Sequence, residues 1–322
     1  MTPPNPASDL DELRVPATRW VLRRIRRHTG WLRTEGPARL IEEGDLDPLD
    51  RIPSEVRKIL WRLRHDASPH ALPIFVVGLQ RSGTNMLVQG LERSPLIELH
   101  NEKDRTAFHR FRLRSDEEIR GIVERSPHPF VLFKPLCDSH RIGALLDGLR
   151  TPSAPRATWV VRSVDGRVRS SVAKFGDANR RALQAIADGS GTSLWQSQGL
   201  SDHSVELIRS SDPEKLSAES ASALFWYVRN SIVFEHGLVE RPDFRVVSYD
   251  RFVADPVPSM RALCSFLEIP FDPSFAAHIA PRNGHVERRL EIDPAIRERC
   301  DELSERLEAA AGTDVPPRGS AA

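Results

Sequence analysis

The feature that most constrains the fold of this chain is a strand-like run, residues 73–77, that leads into a glycine-bracketed loop and then a helical pattern. In such a layout, backbone N–H groups and the N-terminus of the helix face an anion. Gly78 and Gly83 have the spacing of nucleoside-triphosphate-binding loops, but Thr84 and Asn85 stand where that pattern requires Lys and Ser or Thr. The loop therefore predicts a phosphate site that lacks the lysine and the magnesium-binding hydroxyl of ATP hydrolysis.

The positive charge of this loop is Arg81, which lies inside it. The stretch Arg81-Ser82-Gly83-Thr84-Asn85 resembles the 5′-phosphosulfate-binding loop of the sulfotransferases that use 3′-phosphoadenosine 5′-phosphosulfate (PAPS). In that family the loop reads Lys or Arg, then Ser-Gly-Thr and a further small polar residue. The resemblance implies that Gly78 and residues 81–85 bind the donor.

A second stretch resembles the 3′-phosphate-binding motif of the same family. Arg162 follows the strand-like run 157–161, and Ser170 comes eight residues later, two turns into a predicted helix. The resemblance implies that Arg162 grips the 3′-phosphate and that the Ser170 hydroxyl adds a hydrogen bond. The family usually has Asp-Pro after the arginine, and this chain has Ser-Val. Near the C-terminus, Arg282-Asn283-Gly284 resembles the family's Arg-Lys-Gly motif without its lysine. This resemblance implies that Arg282 and Gly284 also bind the donor.

The catalytic residues implied by the resemblance are Arg81, Lys134 and a general base. Lys134 follows the strand-like run 130–133 and takes the place of the family's catalytic lysine, but the histidine found two residues later in phenol and steroid sulfotransferases is absent. In carbohydrate-type and some bacterial members a glutamate serves instead, which makes Glu102 the first candidate. The alternatives that stay open are His100, Asp138 and His140.

Apolar strand-like runs alternate with helical patterns from residue 72 onward. Runs of this kind predict an α/β fold, a P-loop-type doubly wound parallel sheet flanked by helices. We predict strands at 73–77, 130–133, 157–161 and 244–248, and helices at 83–93, 138–149, 165–175, 217–236, 257–267 and 294–310. We expect an N-terminal helical extension at 1–70, partly disordered at 1–16, then the sulfotransferase domain at 71–312 and a flexible tail at 313–322. Within the domain, 176–216 has an ambiguous pattern; an acceptor-binding lid and a plain surface connection remain open.

Composition excludes several classes of protein. With 46 basic and 45 acidic residues the chain offers no overall charge for nucleic acid. Three cysteines without metal-ligand spacing are typical of a reducing compartment. The sequence contains no run of about 18 apolar residues, the length that a membrane span requires. We therefore expect a cytoplasmic protein. Residues 17–34 form a basic amphipathic pattern, interpreted as a surface helix docked on the main domain, with attachment to an anionic membrane as the alternative.

The function that these motifs predict is transfer of a sulfuryl group from PAPS to a hydroxyl or amine, with adenosine 3′,5′-bisphosphate (PAP) as product and no metal requirement. The acceptor is expected to be a small molecule, lipid or glycan. An ATP-dependent P-loop kinase and a non-catalytic protein that binds PAP or PAPS remain the alternatives. The sequence identifies neither the acceptor nor the oligomeric state.

Overall fold

The computed structural model describes residues 48–149, 151–281 and 288–312, with side chains from residue 56 onward. The strands of these segments are β1 Leu72–Gly78, β2 Ile97–His100, β3 Phe108–His109, β4 Arg112–Leu113, β5 Phe130–Phe133, β6 Arg156–Val161 and β7 Phe244–Ser248. The α-helices are α1 Pro48–Arg64, α2 Thr84–Leu91, α3 Asp116–Arg125, α4 Ile142–Gly148, α5 Val164–Phe175, α6 Ala178–Ala187, α7 Asp202–Ser210, α8 Ala218–Glu235, α9 Tyr249–Ala254, α10 Pro256–Phe266 and α11 Pro294–Gly312. Short 3₁₀ turns lie at Leu136–Arg141, Leu238–Glu240 and Pro273–Phe275.

Five strands form one parallel sheet in the order β2-β5-β1-β6-β7, and β3 pairs with β4 in a separate antiparallel hairpin. The central strand β1 pairs with β5 on one side and β6 on the other, so later strands of the chain are added to the sheet on both sides of β1. This is the predicted doubly wound α/β fold. In such sheets ligands bind beyond the C-terminal ends of the strands, at the point where the strand order reverses. Here that point is the end of β1.

Successive residues of the strands face opposite sides of the sheet, and each side has its own core. Ile74 and Val76 pack with Leu87 of α2 and Met260 of α10 on one side. On the other side, residues from β1, β5 and β6 pack with α5, α8 and α11; they include Phe75, Val77, Phe133, Trp159, Val168, Trp226 and Leu303. Burial on both faces explains why β1 is an unbroken apolar run rather than an alternating one.

The four predicted strands are all present, as are the six predicted helices within a few residues at each end. The prediction over 138–149 covers a 3₁₀ turn followed by α4. The sequence pattern missed β2, the β3–β4 hairpin, α3, α6, α7 and α9. Residues 1–16, the predicted helix at 17–34 and the tail at 313–322 lie outside the described residues, and the boundary at residue 70 stays a prediction. Within the described part of the chain, no helix has the length and apolar character needed to cross a membrane.

Candidate active site

The loop after β1 has a backbone that only certain residues allow. Gly78 has φ 127°, and a Cβ there would lie 2.5 Å from the carbonyl oxygen of Val160 in β6. The glycine is therefore required by the close approach of the neighbouring strand. Arg81 adopts a left-handed φ of 72°, and Gly83, with φ 96°, caps the N-terminus of α2. The first turn of α2 carries no acidic residue, so its free N–H groups and positive dipole end have no competing carboxylate on the helix.

The two motifs predicted from the sequence meet in the structure. The Nε of Arg81 donates a hydrogen bond to the Oγ of Ser170 over 2.8 Å, although the residues are 89 positions apart. Ser170 lies on α5, which follows the adjacent strand β6, so the parallel order of β1 and β6 brings both to one edge of the sheet. Ser82 and Thr84 are buried in the same loop, and the Ser82 hydroxyl has no hydrogen-bond partner among the described residues. Together the N–H and O–H groups of this loop form a set of hydrogen-bond donors that fits an anionic ester.

Arg162 is held beside the loop by an aromatic ring. Its guanidinium lies 4.8 Å from the ring centre of Tyr249, and the same ring packs on Gly83, where a Cβ would come within 2.1 Å of Tyr249 Cδ2. Asp250 accepts a hydrogen bond from the backbone N–H of Ser163 over 2.7 Å. The turn after β7 thereby fixes the turn after β6 against the loop after β1. Helix α9, which follows β7 directly, is capped by the Ser248 side chain, which accepts from the N–H of Arg251.

Lys134 extends from the end of β5 toward the same loop. Its Nζ donates to Asn85 Oδ1 over 2.6 Å and lies 3.8 Å from Glu102 Oε2. Burial lowers the pKa of Lys134, against the opposing effect of Glu102. Burial likewise raises the pKa of Glu102, although the nearby ammonium of Lys134 works in the other direction. The structure therefore brings together Asn85, Glu102 and Lys134, with Asn85 in the same loop region as Arg81.

His100, the second candidate for the base, is already held by two carboxylates. Its Nδ1 bonds to Asp104, and its Nε2 lies 3.2 Å from Glu98 Oε1. Burial works to lower the pKa of His100, but the two carboxylates reverse this and raise it. The pKa of Glu98 falls to about 2, since its bonds to His100 and Ser126 outweigh the opposing effect of burial. An imidazole whose two ring nitrogens both face carboxylates is a poor acceptor for a substrate proton.

The two remaining candidates are also poor bases. Asp138 is fully buried, and its oxygens accept from Arg112 Nε over 2.8 Å and from the N–H of Leu113 over 2.7 Å. These bonds tie the 3₁₀ turn to the hairpin, which is a structural task. Burial, followed by the positive charge of Arg229, lowers the pKa of His140 to about 4. Of the four candidates, Glu102 is the carboxylate that lies beside the cation of the site.

Other predictions concern residues and groups at the margin of the site. Arg282 and Gly284 lie outside the described residues, so their assignment to the donor stays a prediction. Among the side chains that the structure describes, no group of three or more His, Cys, Asp and Glu residues is arranged to hold a metal ion. The three cysteines are buried and free, and burial raises the pKa of Cys137, whose Sγ lies 4.0 Å from Glu102 Oε1.

Sequence reasoning missed two residues that shape the loop. Tyr249 follows β7 directly, and its position at a strand's C-terminal end was the signal that it lies at the ligand edge of the sheet. Arg167 belongs to the stretch between Arg162 and Ser170, but it sits on the buried face of α5. A charged residue on an otherwise apolar face of a helix is a recognisable signal in the sequence.

Comparison with known proteins gives matches among solved structures alone. No family model matches the chain, and no curated protein matches it. A sulfotransferase from Alicyclobacillus acidocaldarius is similar at 16% identity and a TM-score of 0.43, over 75% of this chain and 96% of the other. The sulfotransferase domain of the olefin synthase from Synechococcus PCC 7002 is similar at 14% identity and a TM-score of 0.36, over 78% of this chain and 99% of the other. Both are sulfotransferases, the family that the sequence motifs resemble.

Proposed function

We propose that the protein is a sulfotransferase that moves a sulfuryl group from PAPS to a hydroxyl or amine of an acceptor. The observation that carries the proposal is the meeting of Arg81 with Ser170 at the end of β1, beside the Lys134–Glu102 pair. Arg81 and Ser170 come from two motifs that bind two different phosphates of the same donor in the family they resemble. A site that holds both motifs would recognise both phosphates of the donor and place them near the catalytic cation.

Each residue has a distinct task in this proposal. The N-terminus of α2, Arg81 and the buried Ser82 hydroxyl bind the 5′-phosphosulfate, and Arg162 on its Tyr249 ring binds the 3′-phosphate. Lys134 stabilises negative charge that develops on the transferring group and on the bridging oxygen as the sulfur–oxygen bond to the phosphate breaks. No metal is assigned to these steps.

Glu102 is proposed as the general base. It takes the proton of the acceptor as the acceptor's oxygen or nitrogen forms its bond to sulfur. The sulfur–oxygen bond to the 5′-phosphate breaks in the same step, and PAP leaves. Burial raises the pKa of Glu102 and makes it more basic than an exposed carboxylate, and the ammonium of Lys134 beside it favours its ionised form. The general base must lie within reach of the acceptor's proton, and the assignment is supported by the 3.8 Å between Glu102 Oε2 and the Nζ of Lys134, the cation proposed to stabilise the transferring group.

The donor assignment is tested by thermal stabilisation with PAP, with AMP and with Mg-ATP. Stabilisation follows RT ln(1 + [L]/Kd), about 2.7 kcal/mol at a ligand concentration of 100 Kd. We expect PAP to stabilise the protein more than the other two ligands do, because it alone carries both phosphates. A preference for Mg-ATP would replace the proposal with the kinase. Binding of PAP without turnover over a broad panel of acceptors would replace it with the non-catalytic binding protein.

The base is tested with Glu102→Gln, which keeps the size of the side chain and removes its basicity. We expect turnover to fall by about 10² to 10⁴-fold, the usual contribution of general-base catalysis, with donor affinity close to wild type. Glu117→Gln, an exposed glutamate in the first turn of α3, is the matched control and keeps its rate. If Glu102→Gln keeps most of its activity, the base lies elsewhere and His140 is tested next.

A further inference from the structure

A second arginine lies directly beneath the phosphate-binding loop. Arg167 of α5 is only 1% exposed, and its Nε donates to the backbone carbonyl of Gln80 over 3.4 Å. Gln80 is the loop residue that precedes Arg81, whose left-handed backbone shapes the loop. The guanidinium of Arg167 is thus joined to the loop at the point where the chain turns toward the anion site.

The other contacts of Arg167 are all with neutral groups. Its Nη1 donates to the carbonyl oxygen and to the Oγ of Ser222 over 3.1 and 2.9 Å, and its guanidinium lies 5.5 Å from the ring centre of Phe225. The Ser222 hydroxyl also accepts from Asn179 Nδ2 over 2.9 Å. Among the described residues no carboxylate forms an ion pair with Arg167. Burial, followed by the positive charge of Arg81, lowers its pKa to about 9, which leaves it charged at neutral pH.

A buried charge without a counter-ion is costly to a folded protein, so its position calls for a physical reason. Two positive groups, Arg81 and Arg167, approach the same loop, and a bound anion at this loop would reduce their repulsion. We propose that Arg167 is a positioning residue that strengthens the binding of a 5′-phosphate or 5′-phosphosulfate through its field and its bond to Gln80, without contacting the ligand. This inference rests on the proposed function, because it takes the loop as the site of the donor's 5′ group.

The expected size of the effect follows from Coulomb's law. A unit charge about 10 Å from an anion, at an effective dielectric constant of about 20, changes affinity by a factor on the order of ten. Arg167→Met removes the charge and keeps an unbranched apolar side chain. We expect it to weaken PAP and 5′-AMP about tenfold and to leave adenosine 3′-monophosphate within twofold, because that ligand places nothing in the loop.

Arg229→Met is the matched control. Arg229 is also 1% exposed, also donates to backbone carbonyls, with Gln198 at 2.6 Å, and also faces an aromatic ring, that of Trp195 at 5.6 Å. Burial lowers its pKa to about 10, and the cation that acts on it is Arg112 rather than Arg81. Both substitutions remove a buried guanidinium, and we expect the loss of affinity for 5′-phosphates only in Arg167→Met.

A second pair of variants avoids the risk that Arg167→Met does not fold. Ser222→Asp places a carboxylate where the hydroxyl now accepts from Arg167, which neutralises the charge and leaves the guanidinium in place. We expect about a tenfold loss of affinity for PAP in Ser222→Asp and less than a twofold change in Ser222→Asn. Calorimetric titration of each variant with the three nucleotides gives the readout.

The two proposals fail in different ways in this experiment. If the wild-type protein binds none of the three nucleotides, the proposed function is wrong and the inference falls with it. If the wild type binds PAP and the affinities of Arg167→Met and Ser222→Asp equal those of their controls, the role of Arg167 is wrong and the proposed function stands. An equal loss for 5′- and 3′-monophosphates also overturns the inference, because it shows a general structural defect.

Discussion

The buried carboxylate of Asp138 offers the sharpest test of how this site is supported. It accepts hydrogen bonds from Arg112 and from the N–H of Leu113, and its side chain has no exposed surface. Breaking a buried ion pair by removing one partner typically costs about 3–5 kcal/mol, because the other charge stays buried without compensation. The Arg112 side chain is 34% exposed, so water partly solvates it and the lower end of this range applies. We expect Asp138→Asn to reduce the free energy of unfolding by about 3 kcal/mol.

Urea unfolding followed by circular dichroism gives this quantity directly. The matched control is Asp116→Asn, since Asp116 pairs with Arg141 over 2.8 Å but is 47% exposed. An exposed pair contributes about 0–1 kcal/mol, so the control should lose no more than that. A loss below about 1 kcal/mol in Asp138→Asn would refute the structural assignment. Unchanged stability together with abolished turnover would instead return Asp138 to the list of bases.

Three further predictions follow from the geometry of the site. If Glu102 must be ionised to act as a base, turnover rises with pH through a pKa above the ordinary 4.5 of glutamate and falls as the pH drops below that pKa. The pH–rate profile measures this pKa, and a midpoint at or below 4.5 would contradict the prediction. The stabilisation from Glu98, with its pKa of about 2, is lost as pH falls from 4.5 toward 2, and that from His100, with a raised pKa, is complete below 6.5 and lost as pH rises through the higher value. Unfolding free energies against pH should show both losses in the wild type. In His100→Gln the loss at high pH should disappear and the acid-side loss should shrink without vanishing, because Ser126 still donates to Glu98; parallel curves would rule out the pair. Gly83→Ala and Gly189→Ala both strain a positive φ, by about 1 kcal/mol each, but only the Cβ at Gly83 meets a neighbour within 4 Å. PAP titrations should therefore show a loss of more than tenfold at Gly83 alone, and equal affinities would mean that the ring packed there does not shape the loop.

The sequence predicted the parts of the fold that depend on local pattern. Strands β1, β5, β6 and β7 are short, rich in β-branched and aromatic residues, and buried on both faces, so they stand out as apolar runs. Strand β2 was missed because it is an edge strand with the alternating sequence Ile-Glu-Leu-His, in which Glu98 and His100 look like loop residues. Helix α3 was missed although its signal was present, since Ser115 and Glu118 form a capping box.

The sequence named candidate site residues but not the contacts between them. Arg81, Lys134, Arg162 and Ser170 were named by resemblance to family motifs, and the motifs were expected to meet because parallel strands end at one edge of a sheet. Which of them touch depends on strand order, and the sequence does not contain the order β5-β1-β6 in any local pattern. The bond between Arg81 and Ser170 is a consequence of that order, because it requires β6 to lie next to β1.

The same dependence on strand order explains how the loop can lack a lysine of its own. Asn85 stands where a nucleoside-triphosphate loop has its magnesium-binding hydroxyl, and its amide oxygen accepts from the Nζ of Lys134. An oxygen that is occupied by an ammonium group is not free to bind a cation, so the substitution at Asn85 and the lysine at the end of β5 are one arrangement rather than two. The positive charge arrives from the neighbouring strand, on a side chain anchored between Asn85 and Glu102. A cation placed in this way lies beside the proposed base, which a lysine within the loop's own helix would have no reason to do.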